Sequence, residues 1–209
     1  MNFIKFLFLN YRRNSKKRYF CKYRRALIVG LDKYMSTGTN NSVQLVLGGA
    51  RSGKSRLAEQ MAKESENDVI YIATATVYDD EMQQRINRHI DDRPSHWLTV
   101  EEPLNLTQVL QQYAKENTCI LVDCLTLWLT NILMAEGEQG DKDQDSINHH
   151  EIKSLANYKE ELLQALAQLP GQIILVSNEV GQGIVPMGEL SRRFVDEAGW
   201  LQQGIRRRG

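Results

Sequence analysis

The run Gly48-Gly49-Ala50-Arg51-Ser52-Gly53-Lys54-Ser55 constrains this chain more than any other stretch, because it has meaning only between a strand and a helix. It satisfies G-x-x-x-x-G-K-[ST] at every fixed position. Val43-Gln44-Leu45-Val46-Leu47 before it reads as a buried strand, and Ser55 to Ala62 after it reads as a helix. Glycines let the loop turn its amides inward around phosphate oxygens, and the helix start adds partial positive charge. Lys54 is then expected to reach the β- and γ-phosphates of a nucleoside triphosphate, and Ser55 to ligate Mg²⁺. The alternative, a glycine-rich turn that merely opens a helix, is disfavoured by the strand–loop–helix context.

Charge bounds the partners. The chain balances 26 basic against 26 acidic residues over 209 positions. Residues 1–33 hold ten Lys or Arg and one Asp, a net +9, which leaves the remainder at −9. An acidic body argues against nucleic acid, whose duplex needs a basic footprint. The apolar stretch Phe3 to Leu9 is too short to span a bilayer, so no stable membrane insertion is expected. The basic cluster follows that stretch, the reverse of a secretory signal. Residues 1–42 lack apolar periodicity and are expected to be a basic extension outside the folded domain, with 43–209 as the working unit. Met35 offers an alternative start. Cys21, Cys119 and Cys124 form no C-x-x-C pair, which fits small buried hydrophobes and a reducing cytoplasm.

Beyond the phosphate loop, strands alternate with helices. Strands are expected at Asp68–Ala73, His96–Val100, Thr118–Val122 ending on Asp123, and Gln172–Ser177. Helices are expected at Asp79–Asp92, after Pro103 with Leu106, Val109, Leu110 and Tyr113, from Leu125 to about Met134, at Glu151–Leu169 and around Ala198–Gln203. Glu136 to His149 reads as a loop. Strands that are nearly all apolar imply an α/β fold, a mostly parallel sheet covered by helices on both faces.

Four sets of residues could carry chemistry. Asp123 closes an apolar strand at the end where open α/β sheets bind ligands, and could help hold Mg²⁺ or simply cap the next helix. His89 shares a helix face with Glu81 and Arg85 beside the Met82/Ile86/Ile90 stripe, and is either a surface histidine with no catalytic part or a neutral imidazole able to attack a nucleotide's α-phosphorus. Glu101 only accepts hydrogen bonds, which suits the N1–H and amino edge of guanine, or else serves a helix start. Asn178 to Pro186, with Gly181 and Gly183, is either a substrate-facing loop or a structural turn.

Together these segments resemble the bifunctional adenosylcobinamide kinase/adenosylcobinamide-phosphate guanylyltransferase family. The resemblance is carried by the phosphate loop, Tyr71-Ile72-Ala73-Thr74-Ala75, Asp80-Glu81-Met82 to Arg85-Ile86, His89, Arg93-Pro94, Trp97, Thr99 and Glu101. It continues through Leu121-Val122-Asp123-Cys124-Leu125-Thr126, Thr130-Asn131, and Ser177-Asn178-Glu179-Val180-Gly181 to Ile184-Val185-Pro186, and covers Val43 to Gln203.

It implies a P-loop NTPase with a RecA-like sheet, commonly a cytoplasmic homotrimer. ATP or GTP would phosphorylate adenosylcobinamide, and GTP would then give GMP to adenosylcobinamide phosphate through a GMP-histidine at His89. By the same resemblance Gly48 to Ser55, Ala73-Thr74-Ala75, Ile90, Asp91, Asp92, Arg93, Glu101 and Asp123 line the nucleotide site, with Ser55 and Asp123 on Mg²⁺. The family has no counterpart to the N-terminal extension, and it continues past Gln203 into a further strand. Here Gly204-Ile205-Arg206-Arg207-Arg208-Gly209 reads as a truncated or altered basic tail. Another P-loop small-molecule kinase, or a GTP-binding protein impaired in catalysis, are the competing readings.

Overall fold

The computed structural model describes residues 18–20, 26–32, 41–76, 94–140 and 153–208. Among the described residues seven strands lie in one sheet: β1 (Arg18–Phe20), β2 (Ala26–Asp32), β3 (Asn41–Gly48), β4 (Asp68–Ala73), β5 (Leu98–Glu101), β6 (Thr118–Asp123) and β7 (Gly171–Asn178). Their spatial order is β1-β2-β3-β7-β6-β4-β5. The five strands from β3 to β5 in that order are all parallel; the four from β3 to β4 are the nearly continuous apolar runs of strands buried on both faces, while β5 is the largely exposed end strand.

Alternation along each strand divides the core into two layers. Leu45 and Leu47, Ile70 and Ile72, and Ile173 and Leu175 face a large layer. It is filled by α2 (Leu106–Tyr113), α3 (Leu125–Gly140), α4 (Leu155–Leu166) and α5 (Glu189–Arg208). Val46, Tyr71, Leu121, Ile174 and Val176 face the other layer, where Ala58 and Ala62 of α1 (Lys54–Glu64) pack. Helices therefore cover both faces. The helix expected over Asp79–Asp92 lies outside the described residues.

Three boundaries differ from the sequence expectation. The first concerns residues 1–42, expected outside the folded domain. Two of their segments are paired into the sheet: β2 runs antiparallel to β3 from Ala26↔Gly48 to Asp32↔Ser42, and β1 pairs with β2. Ala26-Leu27-Ile28-Val29 is a strand-forming run, and pairing there covers the backbone edge of β3.

The second is α3, which continues past Met134 into the stretch expected as a loop. Glu136 explains the extension: its carboxylate accepts from the Leu155 amide at the start of α4 and pairs with Arg193 of α5 at 2.6 Å. The third is α5, which takes in Gly204 to Arg208 where the sequence suggested a basic tail. Ile205 is 2% exposed in the large layer, beside Leu201 and Ala198, so the basic residues ride on a helix with a buried face. Ile205→Ala is expected to lower stability by about 2–4 kcal/mol. A urea midpoint equal to the parent's would show that this last turn does not pack.

No helix among the described residues is long and apolar enough to cross a membrane.

Candidate active site

Because β3, β7, β6, β4 and β5 run parallel, Gly48, Asn178, Asp123, Ala73 and Glu101 emerge on one edge of the sheet. The pairings Gly48↔Asn178, Ala73↔Asp123 and Ala73↔Glu101 fix their order. Five segments spread between Gly48 and Asn178 in sequence thus share a rim.

The phosphate loop opens this edge. Arg51 (φ 56°) and Gly53 (φ 85°) both occupy the left-handed region, which bends the backbone into a concavity of amides. Gly53 is also the residue before α1, and no side chain caps that helix, so its first amides remain available to an anion. The Lys54 side chain is only 9% exposed, and its Nζ donates to the Gly49 carbonyl at 3.2 Å across the loop. A buried ammonium beside turned-in amides requires an anionic counterpart to offset its desolvation. The Ser52 hydroxyl oxygen is buried in the same loop and finds no hydrogen-bond partner among the described residues.

Asp123 stands next along the rim. Its Oδ2 accepts from the Tyr71 hydroxyl at 3.0 Å, so the described contact is with β4 and not with the start of α3. That position is held by Cys124, whose carbonyl accepts from Trp128 N. The Cys124 thiol is pushed up to about 11, first by burial and next by the Asp123 carboxylate, while the Lys54 ammonium pulls it down. Lys54 and Asp123 thus act with opposite sign on one buried sulfur. Cys119 is likewise buried and raised to about 11, chiefly by burial. Both thiols behave as core hydrophobes.

Thr74 is fully buried. Its hydroxyl donates to Cys124 O at 2.7 Å and accepts from Cys124 N at 2.9 Å. That side chain is committed to joining the ends of β4 and β6. What this corner leaves for a nucleotide is backbone and the half-buried Ala73 and Ala75. Asn131 holds the corner from behind, donating to Thr74 O at 2.7 Å and Pro103 O at 3.0 Å. Nothing in local patterning singled out Asn131 or Tyr71 for this work. Both had entered only as matches to the family, and the chemical signal for Asn131 was an amide placed among Leu127, Trp128, Leu129, Ile132 and Leu133, where an unpaired polar group would be costly.

The two readings of Glu101 separate. Glu102, not Glu101, serves the helix start, with Oε1 accepting from Leu104 N at 2.9 Å and Asn105 N at 2.7 Å. Glu101 ends β5 with an exposed side chain on the rim. His89, Ile90, Asp91, Asp92 and Arg93 lie outside the described residues. His96 does not belong to this edge: with Asn67, Asp68 and Asn117 it lines a groove at the N-terminal ends of β4, β5 and β6. A six-residue strand such as β4 separates the two edges by about 20 Å.

A family model described as CobU, cobinamide kinase/cobinamide phosphate guanyltransferase, matches residues 44–209. The chain belongs to this family. Its relatives include the bifunctional adenosylcobalamin biosynthesis protein CobP of Pseudomonas aeruginosa, 55% identical over 164 residues, covering 78% of this chain and 87% of that relative. The bifunctional adenosylcobalamin biosynthesis protein CobU of Escherichia coli is 42% identical over 162 residues, covering 77% and 88%. CobU of Salmonella typhimurium is 41% identical over 161 residues, again covering 77% and 88%. As a CobU-family member the chain is a transferase with P-loop nucleotide binding.

Proposed function

We propose that this chain phosphorylates adenosylcobinamide with a nucleoside triphosphate and then transfers GMP to the product. In the first reaction the aminopropanol hydroxyl takes the γ-phosphoryl group and a nucleoside diphosphate leaves. In the second, the imidazole of His89 attacks the α-phosphorus of GTP, a P–N bond forms and pyrophosphate departs. The phosphate of adenosylcobinamide phosphate then attacks the same phosphorus, the P–N bond breaks, and adenosylcobinamide-GDP is released.

The observation that carries this reading is the buried Lys54 ammonium in a loop of inward amides, on the edge that also bears Asp123 and Glu101. Lys54 and the loop amides hold the β- and γ-phosphates, and the unpaired Ser52 hydroxyl donates to one of their oxygens. The hydroxyl of Ser55 and the carboxylate of Asp123 are hard oxygen donors of the kind Mg²⁺ takes, and Tyr71 holds one oxygen of that carboxylate in place. When bound, Mg²⁺ neutralises charge on the triphosphate. Glu101, left free of the helix start by Glu102, accepts from the guanine N1–H and amino group. Ala73 and Ala75, with residues 90–93, complete the nucleotide enclosure. The enzyme acts in the cytoplasm as a homotrimer.

Incubation of the protein with GTP labelled at its α-phosphate tests the reading directly. Label is expected on the denatured protein, lost in acid and retained in mild base, with pyrophosphate released. Turnover of adenosylcobinamide without any such label would reduce the chain to a small-molecule kinase.

A further inference from the structure

The rim described above holds a nucleotide, yet the reaction proposed here also needs a place for a bulky ring-shaped acceptor. The segment that leaves β7 starts against the phosphate loop, because Glu179 N donates to Gly48 O at 3.1 Å. Within the next few residues large apolar side chains stand in solvent: Ile184 is 98% exposed, Val185 73% and Met187 96%. Scattered apolar residues on a surface need no explanation, but a run of them beside a catalytic edge marks a binding surface.

The segment is also built, not slack. Arg192 of α5 donates to the carbonyls of Pro186 (3.2 Å) and Met187, and its own amide bonds to Gly188 O. Ile184 and Val185 themselves line a groove of about 100 Å³, together with Val180, Pro186, Val195 and the charged Arg192 and Asp196. At the end of β7, the Asn178 Oδ1 is a buried acceptor with no partner among the described residues. Glu101, the residue assigned to the guanine base, ends a strand three places away from β7, about 14 Å along the edge. Base and acceptor can therefore occupy the rim together.

We propose that Ile184, Val185 and Met187 form an apolar lip that seats the ring face of the corrinoid acceptor. The lip directs the acceptor's hydroxyl-bearing arm past Asn178 to the phosphates held at Lys54. The inference rests on the corrinoid reading of the site. A corrin ring offers methyl-bearing faces to such a lip, while its reacting hydroxyl lies at the end of an arm long enough to reach a neighbouring loop. The lip thus sets specificity for the ring and takes no part in the chemistry.

The test compares the full chain with V185S/M187S and with I184S, all changes at exposed positions. The Michaelis constant for adenosylcobinamide is expected to rise at least tenfold in V185S/M187S. Labelling by α-labelled GTP should stay within twofold of the parent. Slow phosphorylation of the bare arm, 1-amino-2-propanol, should be the same in parent and variant, since no ring is present to seat.

An unchanged Michaelis constant for adenosylcobinamide overturns the lip. So does a variant whose light-scattering mass falls and whose Michaelis constant recovers at high protein concentration, because the patch would then be a contact between copies of this chain. Failure of the parent itself to phosphorylate adenosylcobinamide sinks the underlying corrinoid reading, which distinguishes that failure from failure of the lip alone.

Discussion

Lys54→Ala is expected to lower both transfer reactions by about 10³-fold or more, with the fold intact. The size of the effect follows from where that charge sits. Lys54 is almost fully buried and anchored to the Gly49 carbonyl, so its ammonium is oriented before any substrate arrives. Phosphoryl transfer depends mainly on such positioning and on fixed charge at the oxygens where negative charge accumulates. Both reactions use the same triphosphate cradle, so both rates fall together. Because the aliphatic stem of Lys54 is itself buried, Lys54→Met serves as a second variant that keeps the packing and removes only the charge. Circular dichroism and a melting curve check the fold, and initial rates with γ- and α-labelled GTP read the two reactions. Near-normal turnover in Lys54→Met would mean that the loop does not hold the triphosphate.

The second large effect is selective. His89→Ala should eliminate GMP transfer and leave phosphorylation of adenosylcobinamide measurable, because only guanylyl transfer needs a covalent carrier. The attacking imidazole must be neutral, so enzyme–GMP formation in the parent should fade as pH falls through the ordinary imidazole range, about 6.5. Labelled GMP still attached to His89→Ala protein would reassign the nucleophile. His96, the histidine that does fall within the described residues, is a poor substitute: it lies in the groove at the opposite edge of the sheet, a strand's length from Lys54. Residual label would have to be mapped by peptide to find its carrier.

The same contrast shows where sequence reasoning reaches and where it stops. Four of the five parallel strands were legible almost residue by residue, because a strand buried on both faces must be a short, nearly continuous apolar run, whereas the exposed end strand β5 runs Leu98–Glu101 where His96–Val100 was expected. Helix ends were less legible. The extension of α3 depends on Glu136 meeting both Leu155 N and Arg193, partners at |i−j| = 19 and 57 that no local pattern reveals. The last turn of α5 looked like a charged tail because three arginines follow Ile205, yet one buried residue per turn is enough to hold a helix against a core. Residues 26–32 carried a short apolar run without helical or alternating periodicity, and only the exposed edge of β3 gave that run something to pair with.

By itself the sequence determined the phosphate loop and the family. Glycine, lysine and serine at consecutive positions act on one another through the local backbone, so their function is written within eight residues. Apolar strands separated by helices likewise require a parallel sheet, and hence a single edge for the ligand. Tertiary structure alone decided how that edge is shared. It paired Asp123 with Tyr71, 52 residues away, and joined Thr74 to Cys124 across 50. It gave the helix start to Glu102 and left Glu101 exposed on the rim. The physical reason is one of range. Backbone conformation and apolar periodicity are set by neighbours in sequence, whereas the partner of a carboxylate or hydroxyl is whatever side chain the fold brings within about 3 Å of it.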